Sequence, residues 1–226
     1  NGLSIEELSP FVSASEIGFV HQSPEKQIVT DKVWHELAFG LESLGIDNKI
    51  IRNRVAEMAS FFGIQTWFRK SIFELSGGQK QILNLASVMA MHPKVLILDE
   101  PTSQLDPIAS TEFISTLRKI NLELGTTIIL SEHRLEEVFP IADKVLLMEE
   151  GEAEVYGTPL EVGDFLSSKY EEHPMYEGLP TAMKVYSKVC PEGDCPITVR
   201  DGKIWLTDLL GNELRIKKIN SEENSA

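Results

Sequence analysis

Val95-Leu96-Ile97-Leu98-Asp99-Glu100 is the stretch whose reading decides the fold. An unbroken apolar run ends on two adjacent carboxylates. A strand with no polar side belongs in the middle of a parallel sheet, covered on both faces. Working outward, helix and strand alternate. Residues 79–91 read as a helix stopped by Pro93. Asp106-Pro107 supplies an N-cap and a first-turn proline for a helix running to about Leu124, where Gly125 ends it. Residues 126–130 are the next apolar strand, closing at Ser131-Glu132-His133. A short helix over 135–139 leads to a strand over 144–148, which Gly151 turns back into 153–156 as a hairpin. Thr158-Pro159 caps a helix to about Ser168. Repeated strand–helix–strand units imply right-handed crossovers and a layered α/β sheet.

Upstream, residues 16–20 form a short apolar strand ending at His21-Gln22. From Asp31 to about Phe68 the period becomes helical: Val33, Leu37, Leu41 and Leu44, then Ile50, Val55, Met58, Phe61 and Phe62. Downstream of Glu171, prolines 174, 180, 191 and 196 break any long element. Residues 197–200 and 203–206, joined by Asp201-Gly202, read as a hairpin. There is no internal repeat and no low-complexity tract.

A chain of 226 residues, 42% hydrophobic, can bury a core of its own. It carries 21 basic against 35 acidic residues, a net charge of −14, which repels phosphate backbones and argues against nucleic acid as a partner. No apolar run approaches the roughly 20 residues that span a bilayer. No charged-then-apolar leader is read at the N-terminus, and the expectation is a cytoplasmic, soluble chain. Cys190 and Cys195, with His173 as the only nearby extra ligand, are too few for zinc and read as thiols in a C-terminal loop. Asn1 in the first position and the Ser221–Ala226 tail read as cut ends.

In open α/β sheets ligands sit beyond the carboxyl ends of the strands. Three strands here end in chemically capable residues: Gln22, the pair Asp99-Glu100, and His133. Of two adjacent carboxylates, one can hold a divalent cation through water while the other orients an attacking water, a division suited to phosphoryl transfer. His133 can hydrogen-bond a γ-phosphate, and Gln22 can reach the metal or the water. Each alone is weak: a strand-end histidine is more often structural, and Asp-Glu-Pro is more often a turn. Ser76-Gly77-Gly78-Gln79 has the spacing of a capping box, which would only start the helix that follows. A capping box does not need two glycines, however, and bare N–H groups at a positive helix end make an anion site. Gly-Gly-Gln also occurs in peptide-release factors, but without this Leu-Ser prefix and α/β setting.

Leu75-Ser76-Gly77-Gly78-Gln79, the run from Val95 to Glu100, Ser103-Gln104-Leu105-Asp106 and His133 resemble, in order and spacing, the signature, Walker B, D-loop and switch histidine of ABC ATPases. The resemblance covers about residues 16–168. Val20-His21-Gln22-Ser23-Pro24-Glu25-Lys26-Gln27 and Glu36-Leu37-Ala38-Phe39-Gly40 resemble the Q-loop region of energy-coupling-factor (cobalt/vitamin importer) ATPases. Glu132-His133-Arg134-Leu135-Glu136-Glu137-Val138 resembles the N-terminal half of fused two-cassette members.

The resemblance implies a P-loop NTPase-like layered parallel sheet with a helical insertion, truncated at the N-terminus. The partial cassette would be 1–170, its helical subdomain 24–75, and 171–226 an extension or inter-cassette linker. It implies ATP and Mg²⁺ as cofactors. Gln22 would be the Q-loop residue reaching the metal or water, Asp99 the magnesium ligand, Glu100 the catalytic base and His133 the γ-phosphate sensor. Ser76, Gly77, Gly78 and Gln79 would meet ATP held by a second cassette (homodimer, heterodimer or fused half), with Asp106 linking the two sites. The helical insertion would receive a transmembrane transporter subunit at the cytoplasmic face of the membrane.

One departure bears on activity. No Gly-x-x-x-x-Gly-Lys-Ser/Thr occurs in these residues. Asn1-Gly2-Leu3 resembles the end of the helix that follows that loop, and residues 4–15 are shorter than the usual β-subdomain segment. The reading is an ATPase subunit powering import of a micronutrient (metal ion or vitamin), here without its phosphate loop. The alternatives are a soluble twin-cassette ATPase working on ribosomes or in repair, and a non-catalytic interaction module of the same fold.

Overall fold

The computed structural model describes residues 9–168, 174–189 and 195–210. Asn1-Gly2-Leu3, His173, Cys190 and the Ser221–Ala226 tail lie outside them. The chain falls into two compact units divided between His133 and Arg134.

The first unit begins with helix α1 (Pro10–Glu16), N-capped by Ser9, and strand β1 (Ile17–Val20). Helices α2 (Val33–Ser43) and α3 (Asn48–Phe61) follow, then α4 (Gly77–Met89). Strand β2 (Val95–Asp99), helix α5 (Pro107–Lys119) and strand β3 (Thr127–Ser131) complete it. The helical period read from the sequence is the buried stripe of α2: Val33, Leu37 and Leu41 are all fully buried. Each such side chain contributes roughly 1.5–3 kcal/mol by leaving water. Asp106 caps α5 as expected, accepting from the N–H groups of Ile108 and Ala109, both at 3.0 Å.

The sheet runs β1-β2-β3, all parallel, with β2 in the centre. Coverage on both faces is only half realised. Gly18, Val20, Leu96 and Leu98 are buried, and α4 lies directly against that side. On the other face Phe19 and Ile129 are exposed and Ile17, Val95 and Ile97 only half-buried. On the packed face Gly18 is a close-approach position. A Cβ there would stand 2.4 Å from Val88 Cγ1 of α4 and 3.1 Å from Leu96 Cδ1.

The second unit contains helix α6 (Leu135–Val138), the antiparallel hairpin β4 (Val145–Glu149) and β5 (Glu152–Gly157), and helices α7 (Pro159–Ser168), α8 (Thr181–Val189) and α9 (Val199–Leu210). Glu150 and Gly151 turn the hairpin with φ of 49° and 86°, the positive values that a two-residue connection of primed type demands. Phe139, Leu147, Val162, Leu166 and Met183 form its small core.

The hairpin read over 197–206 is a correction: residues 199–206 lie in α9, and 197–198 lead into it. Thr198 and Asp201 form the reciprocal cap of that helix, with Asp201 N–H donating to Thr198 Oγ1 at 3.1 Å and Thr198 Oγ1 to Asp201 Oδ2 at 2.6 Å. Gly202 is not a turn residue. A Cβ there would lie 3.0 Å from Ala182 Cβ, so its role is close packing of α9 on α8. No helix among the described residues is long and apolar enough to cross a membrane.

Gly18→Ala forces a methyl into Val88 and should cost about 1–3 kcal/mol of overpacking, read as a lower urea midpoint. A second expectation concerns Cys195, which is half-buried. Burial, with the Asp164 charge adding to it, pushes its thiol up to about 11. In a Cys190→Ser background, Cys195 should alkylate with iodoacetamide at pH 8 about two orders of magnitude slower than an ordinary thiol near 8.5. Its rate should rise tenfold per pH unit up to about pH 11.

Candidate functional site

The parallel register pairs Val20 with Leu98 and Asp99 with Ser131, so the residues that follow each strand emerge at one edge of the sheet. There the sequence-derived candidates meet. Gln22 Nε2 donates to Glu100 Oε2 at 3.1 Å, and His133 Nε2 lies 2.9 Å from Glu100 Oε1. Glu100 is the hub, with each carboxylate oxygen paired to a side chain from a different strand end. Gln22 and His133 are exposed while Glu100 is half-buried between them.

Glu100 is held in an unusual backbone. Its φ of 39° is in the left-handed region, a conformation that costs roughly 1–3 kcal/mol and persists only where the surroundings hold it. Ser131 imposes it. Glu100 N–H donates to Ser131 O at 3.2 Å and to Ser131 Oγ at 3.0 Å, and that hydroxyl donates to Asp99 Oδ1, also at 3.0 Å. One serine thus sets both the Asp99 carboxylate and the Glu100 peptide. Glu132 makes the next tie, accepting from Thr102 Oγ1 and from Thr102 N–H at 3.3 Å. Thr102 is buried, so Glu132 satisfies two donors water cannot reach. Neither Ser131 nor Glu132 was given a role in the site by the sequence reading, although Glu132 opens the Glu132–Val138 stretch quoted for its resemblance to fused two-cassette members.

Ser76–Gln79 stands apart from this cluster, as the first turn of α4. Ser76 Oγ accepts from Gln79 N–H at 3.2 Å, and Gln79 Oε1 accepts from Ser76 N–H at 3.0 Å, so the capping box is real. Gly78 has an internal reason as well: a Cβ there would press on Ala109 Cβ of α5 at 3.3 Å. Gly77 has none. A Cβ there would meet no atom within 4 Å, so internal packing does not require a glycine at this exposed helix start. Ala109, which Gly78 approaches, donates its N–H to Asp106, the α5 cap, at 3.0 Å.

Gln27, also missed, braces β1: its side chain donates to Phe19 O at 2.9 Å and accepts from His21 N–H at 3.0 Å. Lys80 Nζ pairs with Glu25 at 3.1 Å and holds that exposed carboxyl below its usual range.

Residues 7–103 match the family model described as ABC transporter. A Bacillus anthracis protein bearing the name ABC transporter ATP-binding protein is 45% identical over 210 residues, 93% of this chain but 37% of its own length. A Methanosarcina mazei protein of the same name is 43% identical over 149 residues, covering 66% of this chain and 25% of its own. Among solved structures, cbiO1 from Clostridium perfringens, part of the ABC transporter complex cbiONQ, superposes with a TM-score of 0.62 at 35% identity, over 73% of this chain and 66% of that one. The chain is a member of the ABC transporter ATP-binding family. Its layered parallel sheet is that of the family's P-loop NTPase-like fold. The chain spans about two fifths or less of the length of the curated relatives it matches.

Within this ABC chain, Glu132→Ala would orphan the two donors of buried Thr102. The expected cost is about 1–3 kcal/mol, measured by urea unfolding. Glu132→Gln, which keeps an acceptor, should recover most of it.

Proposed function

We propose that this chain supplies the hydrolytic groups of an ATP-binding cassette that powers an importer of a micronutrient (metal ion or vitamin). The observation that carries the reading is the meeting of Gln22, Glu100 and His133 from three strand ends, with Asp99 fixed beside them through Ser131. The likeness to cbiO1, together with the Q-loop resemblance, supports the importer class. The assignment of 1–170 to the cassette and of 171–226 to a linker or extension belongs to the same proposal.

The residues present fit MgATP. Asp99 and Glu100 are oxygen donors of the type a hard divalent cation takes, and the uncovered N–H groups at Gly77 suit a phosphate. Bound Mg²⁺ would neutralise charge on the transferring phosphoryl group. Asp99, its carboxylate aimed by Ser131, would hold the ion. Glu100 would accept the proton of the attacking water at a carboxylate oxygen, after exchanging Gln22 or His133 for that water. His133 would then donate to the γ-phosphate, and Gln22 would reach the metal or the water. Ser76, Gly77, Gly78 and Gln79 would face nucleotide held by a second cassette, with Asp106 between the two sites. The helical stretch 24–75 would dock a transmembrane subunit at the cytoplasmic face of the membrane.

No Gly-x-x-x-x-Gly-Lys-Ser/Thr occurs in these 226 residues, and on this reading the nest and lysine that dominate nucleotide affinity would be supplied by other polypeptide. Isothermal calorimetry should detect no micromolar MgATP binding to this chain alone. In the intact parent, Glu100→Gln should cut turnover by roughly 10²–10⁴ while sparing MgATP binding. Unchanged turnover would refute the assignment of Glu100.

A further inference from the structure

Gln81 is fully buried on α4, yet it does not behave as packing. Its side-chain nitrogen donates to two backbone carbonyls from different parts of the chain, His21 O at 3.3 Å and Pro101 O at 3.1 Å. His21 immediately precedes Gln22, and Pro101 immediately follows Glu100. One amide therefore clamps the two segments whose side chains meet at the 3.1 Å Gln22–Glu100 hydrogen bond.

Burying this amide carries a cost. Gln81 Oε1 has no hydrogen-bond partner, and a buried acceptor left alone is destabilising. Asn84, one turn along the same helix, provides the comparison. It is equally buried and also has an unpaired oxygen, but its nitrogen reaches only Pro24 O, at the 3.5 Å limit. Asn84 touches neither neighbour of the Gln22–Glu100 pair.

We propose that Gln81 is a positioning residue: it sets the spacing of Gln22 and Glu100 by holding the carbonyls beside them. It does so from the helix whose first turn is Ser76–Gln79, five residues or about 7.5 Å back along the axis. A shift of α4 therefore moves the Gln22 and Glu100 segments together. Lys80, the neighbouring residue, adds a tie to Glu25 at 3.1 Å on the same segment as Gln22. The catalytic meaning of this clamp rests on the nucleotide-site reading given above. The clamp itself does not.

The test compares Gln81→Met, which keeps length and loses both donors, with Asn84→Leu, in the ¹⁵N-labelled chain. Nuclear relaxation reads the order of the Gln22 side-chain amide, and hydrogen exchange reads the Glu100 N–H. Gln81→Met should drop the Gln22 side-chain order parameter below about 0.6 and speed Glu100 N–H exchange about tenfold more than that of the slowest core amides, whose change reads the global cost of leaving the His21 and Pro101 carbonyls without their donor. Asn84→Leu should change neither. Equal effects from the two variants, or none from Gln81→Met, would overturn the proposal. If Gln81→Met does not fold, Gln81→Asn, one methylene short of both carbonyls, is judged by the same criteria. In the intact parent, Gln81→Met should lower kcat about tenfold with KM for MgATP within about twofold, the split expected of misaligned rather than missing groups. A parent in which Glu100→Gln keeps full turnover refutes the nucleotide-site reading while leaving the relaxation result standing. A flat relaxation result beside an inactive Glu100→Gln refutes the clamp alone.

Discussion

The parallel register of β1, β2 and β3 is the constraint on which the site depends. With Val20 opposite Leu98 and Asp99 opposite Ser131, the chain leaves all three strands at the same level. A residue one or two positions past any strand must then lie near its counterparts, wherever they fall in sequence. Gln22 and Glu100 are separated by 78 positions and still hydrogen-bond. A one-residue slip would turn every side chain to the opposite face, burying Asp99 and exposing Leu98, so the hydrophobic pattern that buries Leu96 and Leu98 also fixes the polar edge. Core and site are set by the same pairing.

That edge is then tightened by contacts between consecutive residues of two loops. Ser131 binds Asp99 and Glu100, Glu132 binds Thr102, and His133 binds Glu100. The left-handed backbone of Glu100 is tolerable because the ends of β2 and β3 over-determine it. Strain at this candidate carboxylate goes with a side chain that meets Gln22 and His133.

Much of this was legible in the sequence because the deciding signals are local. The apolar run before Asp99, the proline and aspartate opening α5, and the three- and four-residue spacing in α2 depend on neighbours within a few positions. The polar ends of three strands could be listed without knowing the register. What could not be read depended on distant partners. Asp201-Gly202 fits a hairpin turn and a helix start equally well as sequence. Ala182, contributed by α8, makes the glycine a packing position and decides for the helix. Nothing local assigns a partner to Ser131 or Glu132, and their roles appear only once Asp99 and Thr102 stand opposite. The half-buried sheet face was illegible for the same reason: an apolar strand reports that it wants cover on both sides, not whether it finds it.

The tetrapeptide at the start of α4 shows how a motif divides into structure and function. Ser76 and Gln79 are accounted for by their reciprocal hydrogen bonds, and Gly78 by the approach of Ala109. Only Gly77 is left without an internal cause, so the case for an external ligand at this helix end rests on one residue rather than four. The same helix places Gln81 between the carbonyls of His21 and Pro101. An α-helix transmits displacement along its axis with little compression, because each turn is bonded to the next. Whatever meets Gly77 therefore acts on a rod whose second turn is already bonded beside Gln22 and Glu100. The two groups of candidate residues, separate in sequence and at different ends of secondary-structure elements, are parts of one mechanical unit.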